Sequence, residues 1–203
     1  MTTDAEIRSA MSIPYERPVR VVPAGAWTVW ACGHASVAVR ATPLMMSPDE
    51  GPIVSGEGVT ELVALIESPR ATAVSASALA AWCKGHCRSE CSRCGGAGKT
   101  ALACPHDGCD HAHETACGRC GGSGVVDAMS KSQRPVRIEG VMPDARIVAS
   151  LLSLFGDAEV TISGATFRSA NTNVLVFGNE QIVAALAGTT HEQALATWGS
   201  AAT

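Results

Sequence analysis

The sequence predicts an α+β fold of two β-α-β-β-β-type halves, with a small, loop-rich, cysteine-stapled segment between them. Three observations carry this. Apolar and β-branched runs of strand length lie on both sides of a glycine-rich segment. The later run places a helix-period stripe between one strand and three more, and the earlier run reads as a degenerate copy of that unit. Eight of the nine cysteines fall between Cys83 and Cys120. With 203 residues, 46% hydrophobic and 17% charged, the chain suits one larger domain or two small ones, and wholesale disorder is excluded.

The elements follow in order. Thr3–Met11 is a short helix capped by Thr3 or Asp4 and ended by Ile13-Pro14. Val19–Val22, Trp27–Ala31 and Ser36–Ala41 form a meander separated by Pro-Ala-Gly and Gly-His turns. A Pro/Gly-rich loop covers Pro43 to Gly58. Val59–Glu67 sets Val59, Leu62, Val63 and Ile66 at helical spacing, and a short strand at Ala73–Ser75 precedes a helix at Ser77–Trp82. Beyond the cysteines, Ser130–Arg134 is a linker and Val136–Val141 a strand. Asp144 caps a helix over Ala145–Phe155 that Gly156-Asp157 stops. Glu159–Ile162, Val174–Phe177 and Gln181–Ala185 are strands, and the Ala/Thr-rich tail from Ala187 is a weak helix or disordered. The boundaries are therefore 1–82 and 128–203 for a split domain and 83–127 for the insertion.

A net charge of −4 excludes a strongly basic chain that holds nucleic acid by bulk charge. The longest apolar stretches, such as Ile147–Phe155, are far short of a bilayer span. The opening residues lack the basic and apolar regions of a signal peptide, so the expected compartment is a reducing cytoplasm, where clustered thiols serve as metal ligands.

Two blocks of the insertion share one motif, Cys-x-x-Cys-Gly-Gly-x-Gly: Cys91 to Gly98 and Cys117 to Gly124. Two residues between cysteines let both thiolates meet one Zn²⁺ at about 2.3 Å. The glycines permit positive-φ turns that aim main-chain amides at the sulfurs. Cys91, Cys94, Cys117 and Cys120 are accordingly the ligands of a closed Cys₄ zinc site. A second zinc site is drawn from Cys104, Cys109, His111 and His113, or recruits Cys83 and Cys87, for which free thiols or helix-end positions are the alternative.

The glycine-tailed knuckles resemble the cysteine-rich zinc-binding domain of DnaJ-type co-chaperones, in which the outer knuckles share one zinc and the middle two another. The resemblance covers about 40 residues, and here the middle knuckles depart from the pattern. No His-Pro-Asp motif is present, so the resemblance implies a zinc module, with binding of unfolded polypeptides as the alternative function.

Three other motifs fail. Gly96-Ala-Gly-Lys-Thr100 imitates a phosphate loop, but Arg93 stands where its first glycine belongs. His113-Glu-Thr-Ala-Cys117 imitates a metalloprotease helix, yet Cys117 is needed by a site with no open position. No His-x-Glu precedes the cysteine pairs, as a deaminase requires. Cys32 stands two residues before His34, which reads as a buried strand cysteine beside a turn histidine rather than a nucleophile pair.

The flanks carry a second resemblance. Trp27-Thr-Val-Trp-Ala-Cys-Gly-His-Ala-Ser-Val-Ala-Val39 is similar to the strand–turn–strand of bacterial sliding-clamp domains, which commonly read Ala-Thr-Asp-Gly-His at the turn. Here Ala31-Cys32-Gly33-His34 stands there. The helices Ala76–Trp82 and Asp144–Phe155 with the three closing strands fit the same pattern over about 120 residues, one domain's worth, although Leu186-Ala-Gly replaces the usual Met-Pro ending. The resemblance implies a single clamp-like domain of phage type, acting without catalysis in DNA replication or a related transaction, with DNA or a replication protein as partner. A ring around DNA would need several copies and basic inward helices. Arg8 and Arg146 are the only basic residues on the two helix candidates, so the nucleic-acid candidates are Lys131, Arg134 and Arg137 beside the insertion.

Overall fold

The computed structural model describes residues 2–12, 19–33, 35–40, 56–70, 72–103, 112–127, 134–189 and 193–199. The chain divides into two compact units, Met1–Lys84 with Ser132–Thr203, and Gly85–Lys131.

The first unit is built on α1 (Asp4–Ser12), β1 (Arg20–Ala24), β2 (Trp27–Cys32), β3 (Ala35–Arg40), α2 (Gly56–Glu67), β4 (Thr72–Ser75) and α3 (Ala76–His86). After the second unit come α4 (Ala145–Leu152), β9 (Glu159–Phe167), β10 (Thr172–Gly178) and β11 (Ile182–Ala187). Seven strands form one antiparallel sheet in the order β1-β2-β3-β11-β10-β9-β4. A helix followed by a three-strand meander thus occurs twice, and the last strands of the two meanders, β3 and β11, pair at the centre with Val37 opposite Ala184. Among the described residues no strand precedes α1, so each half is α-β-β-β rather than β-α-β-β-β.

Successive side chains on a strand point to opposite faces, and both faces of this sheet are covered. Val29, Ala38, Val174, Val176, Val183 and Ala185 pack in one cluster with Ile66 of α2. Their neighbours Trp30, Val37, Leu175, Phe177, Ala184 and Leu186 are buried as well. On that side α1 packs against α4 and against β2 and β3. Phe155, just after α4, meets Phe177 with ring centroids 6.0 Å apart. Double coverage explains why β10 and β11 read as unbroken apolar runs.

Local chemistry sets the helix ends. Glu6 N–H donates to Thr3 Oγ1 at 3.2 Å while Thr3 N–H donates to the Glu6 carboxylate at 2.7 Å, a reciprocal capping box at the start of α1. Asp144 caps α4 by accepting from Arg146 N–H at 3.0 Å. It also holds the Arg146 guanidinium at 2.6 Å.

Several expectations are corrected. Val136–Val141 is not one strand: Ile138 and Val141 exchange main-chain hydrogen bonds of 2.9 Å across Glu139-Gly140, which take φ of 47° and 77°. Both values lie in the left-handed region of a two-residue hairpin turn. The helix from Ala145 becomes a 3-10 turn at Ser153–Phe155, where Ser153 Oγ bonds the Ser150 carbonyl at 2.6 Å. Helix α3 runs four residues past Trp82 and fully buries Cys83. Strand β9 continues through Ser163-Gly-Ala to Phe167, where a half-buried alternation replaces the apolar run. The tail at 193–199 is neither helix nor disorder. Leu195, Arg137 and Trp198 N–H groups bond the Pro135, Ala196 and Arg137 carbonyls at 2.7–2.8 Å, and Trp198 meets Trp82 edge-on at 5.3 Å. The Ile13-Pro14 stop, His34 and nearly all of the Pro43–Gly58 loop lie outside the described residues.

Candidate metal centre

The second unit contains two antiparallel ribbons. β5 (Arg88–Glu90) pairs with β8 (Val125–Asp127), and β6 (Lys99–Ala103) pairs with β7 (Ala112–Ala116). One knuckle, Cys91 to Gly98, joins β5 to β6, and the other, Cys117 to Gly124, joins β7 to β8. The two are near copies in hydrogen bonding as in sequence. Cys94 N–H bonds the Cys91 carbonyl at 3.1 Å, and Cys120 N–H bonds that of Cys117 at 3.2 Å. Each knuckle also opens on the carbonyl that closes the other: Cys91 N–H donates to Gly124 O, and Cys117 N–H to Gly98 O, both at 2.8 Å.

Glycine is required at those two closing positions. Gly98 and Gly124 have φ of 73° and 75°, and a Cβ on either would collide with a carbonyl of the opposite knuckle, Gly122 O for Gly98 and Gly96 O for Gly124. The equal seven-residue interval from first cysteine to last glycine in both blocks was the sequence signal for this mutual closure, which the reading of each knuckle by itself missed.

The closure brings Cys91, Cys94, Cys117 and Cys120 together, with all four sulfurs within 4.8 Å of one another. Cys91 and Cys117 are fully buried, and Cys94 and Cys120 half-buried. The Cys91–Cys117 and Cys94–Cys120 sulfur separations are both 3.8 Å. A tetrahedron with metal–sulfur bonds of about 2.3 Å has edges of about 3.8 Å. The set therefore fits one tetrahedral metal ion, and none of the described cysteines forms a disulfide.

Main-chain N–H groups surround the sulfurs. Burial raises the Cys91 thiol, but the amides of Arg93 and Cys94 outweigh it and leave that thiol below its ordinary value. Cys117 is lowered in the same way against burial by the amides of Arg119 and Cys120, and Cys120 by those of Gly124 and Gly122. Burial dominates at Cys94, assisted by the neighbouring sulfurs, and pushes it to about 11 despite the Gly98 amide at 3.3 Å. Three sulfurs disposed to ionise and a fourth that resists suit a divalent cation, whose charge removes the resistance.

The remaining predicted site residues stand apart. Cys104, Cys109 and His111 lie outside the described residues, and His113 is an exposed residue of β7. Cys83 is buried in α3 and Cys87 is half-buried just after it, while Cys32 ends β2 with its sulfur 3.7 Å from the Met11 carbonyl. Lys131 is outside the described residues, Arg134 is half-buried, and Arg137 is exposed with its guanidinium 3.7 Å from Met142 Sδ. No helix among the described residues is long and apolar enough to cross a membrane.

Comparison with protein-family models, with curated proteins and with solved structures gives no match in any of the three.

Proposed function

We propose that this is a non-enzymatic zinc protein in which the cysteine unit is a metal-stapled contact surface, carried on a clamp-like α+β unit that serves DNA replication or a related DNA transaction. The observation that carries the reading is the convergence of four thiol ligands ringed by main-chain amides. Four protein sulfurs fill a tetrahedral zinc, so no position is left for a water or substrate, and the metal's role is to hold the fold. The clamp-like part is supported by the repeated helix-and-meander unit and by the packing of its two helices side by side.

The helix pair does not supply the DNA contact. Arg8 is bridged to Asp4 at 2.8 Å and Arg146 to Asp144 at 2.6 Å, which leaves those helices without the basic face an encircled duplex needs. The cysteine unit is the better candidate surface. Zinc analysis of the purified chain should give one tightly held ion per Cys₄ set. Mobility shifts with single- and double-stranded DNA, and pull-down against replication proteins, should show binding that disappears on chelation. Failure to bind DNA and replication proteins alike overturns the function and leaves the metal site.

A further inference from the structure

Resting on that reading of the cysteine unit as a contact surface, we infer that Arg93 and Arg119 form a two-cation clip for the phosphate backbone of a nucleic-acid duplex. The two residues are equivalents, each preceding the second cysteine of its knuckle in Cys91-Ser-Arg-Cys94 and Cys117-Gly-Arg-Cys120. Each sends its main-chain N–H to the first sulfur of its own knuckle. The metal site thus fixes both backbones while both side chains are exposed. Arg119 crosses to the other knuckle, where Nη1 donates to Ser92 Oγ at 3.0 Å, beside the residue that carries the second guanidinium.

The charges of this pair are uncommitted. Three other cations are neutralised in ion pairs: Lys99 with Glu114 at 2.9 Å, Arg8 with Asp4 and Arg146 with Asp144. Neither Arg93 nor Arg119 has a carboxylate within ion-pair distance among the described residues. Guanidinium groups suit phosphate and carboxylate alike, and the surroundings decide between them. Both knuckle turns present Ser92, Gly95, Gly96, Gly118, Gly121 and Gly122 to solvent, with no large apolar side chain among them. Protein interfaces are anchored by aromatic and aliphatic side chains, which these turns lack, whereas backbone phosphates need only cations and polar donors. The unit from 85 to 131 has no Phe, Tyr or Trp, the large rings that single-strand binders add to a charged groove. A duplex backbone, read without sequence preference, is the partner these features favour.

The test is fluorescence anisotropy of the full, zinc-loaded chain on a labelled DNA duplex across a salt series. Each phosphate neutralised contributes about 0.9 to the slope of log affinity against log salt. Arg93→Ala/Arg119→Ala should therefore flatten the slope by about 1.8, with zinc content unchanged, and Arg93→Lys/Arg119→Lys should restore most of it. Lys99→Ala, which removes a cation already bridged to Glu114, should change the slope by far less. An unchanged slope in the double alanine variant overturns the clip while leaving a DNA-binding cysteine unit intact. Binding of an acidic peptide by the wild-type chain without duplex binding overturns the choice of partner, and with it the clip, but not the contact surface.

Discussion

The two units differ most in what lies at their centres. The sheet unit buries Trp30, Phe177, Leu79, Ile138, Leu151, Leu152, Ile162, Leu175 and Leu186 to within 2% of full burial. In the cysteine unit the buried described residues are Cys91, Gly98, Cys117 and Gly124, two thiols and two glycines. Its ribbons are three to five residues long, and Leu102 is 54% exposed. Hydrophobic burial drives one unit; among the described residues the other shows no apolar core, so under the proposed function its folding free energy comes from the metal. On that reading two chemistries stabilise one chain, and each should be removable without the other.

The largest separation should come from the cysteines. Cys91→Ser or Cys117→Ser removes a buried ligand, and binding of a structural zinc is worth on the order of 10–16 kcal/mol in small zinc domains. We expect loss of the tightly held ion and rapid proteolysis within 85–131, with the far-ultraviolet signal of the sheet retained. Chelation of the wild-type chain should give the same digest.

The converse is Phe177→Ala, which empties the space beside Phe155. A cost of about 3–5 kcal/mol is expected in urea unfolding of the sheet unit, with zinc stoichiometry unchanged. A zinc loss that tracks this variant would show that the units do not stand apart.

A smaller effect sharpens the account of the knuckles. Gly98→Ala sets a Cβ against the Gly122 carbonyl in a left-handed backbone. Competition with a colorimetric chelator should show zinc affinity reduced about 10–100-fold, as when groups that orient metal ligands are lost. Gly118→Ala, where a Cβ has open space around it, should change little.

The smallest expected effect is a pH dependence confined to the sheet unit. The Trp30 indole N–H bonds the Asp4 carboxylate at 2.6 Å and, with Arg8, holds it below its ordinary value of 3.8. A depressed carboxylate stabilises the fold fully above that ordinary value, and the stabilisation is lost as pH falls through the lower, folded one. Asp4→Asn should remove this acid-limb loss, amounting to no more than about 1 kcal/mol because Asp4 is half exposed. Urea midpoints at pH 2.5 and 6 would measure it.

The elements legible in the sequence were those with strong local signals. Trp27-Thr-Val-Trp shows a strand by its β-branched and aromatic content, and Asp144 before an apolar stripe shows a helix start. The doubled cysteine–glycine motif points to the four residues that the structure gathers. What escaped depends on partners distant in sequence or on turns within an apolar run. Glu139-Gly140 hides a hairpin inside Val136–Val141, because nothing in the flanking apolar residues marks a reversal. The tail carries no periodicity, yet its main chain hydrogen-bonds along 135–137. In the same way, Gly98 and Gly124 each make sense in one knuckle as a turn, and their close approach to the other knuckle exists only in three dimensions.

The antiparallel pairing of Arg88–Glu90 with Val125–Asp127 makes the cysteine unit a closed loop of chain. Its first and last strands lie side by side, about 4.8 Å apart. The span between entry and exit is therefore set by one strand spacing and not by the length of the knuckles and ribbon enclosed between them.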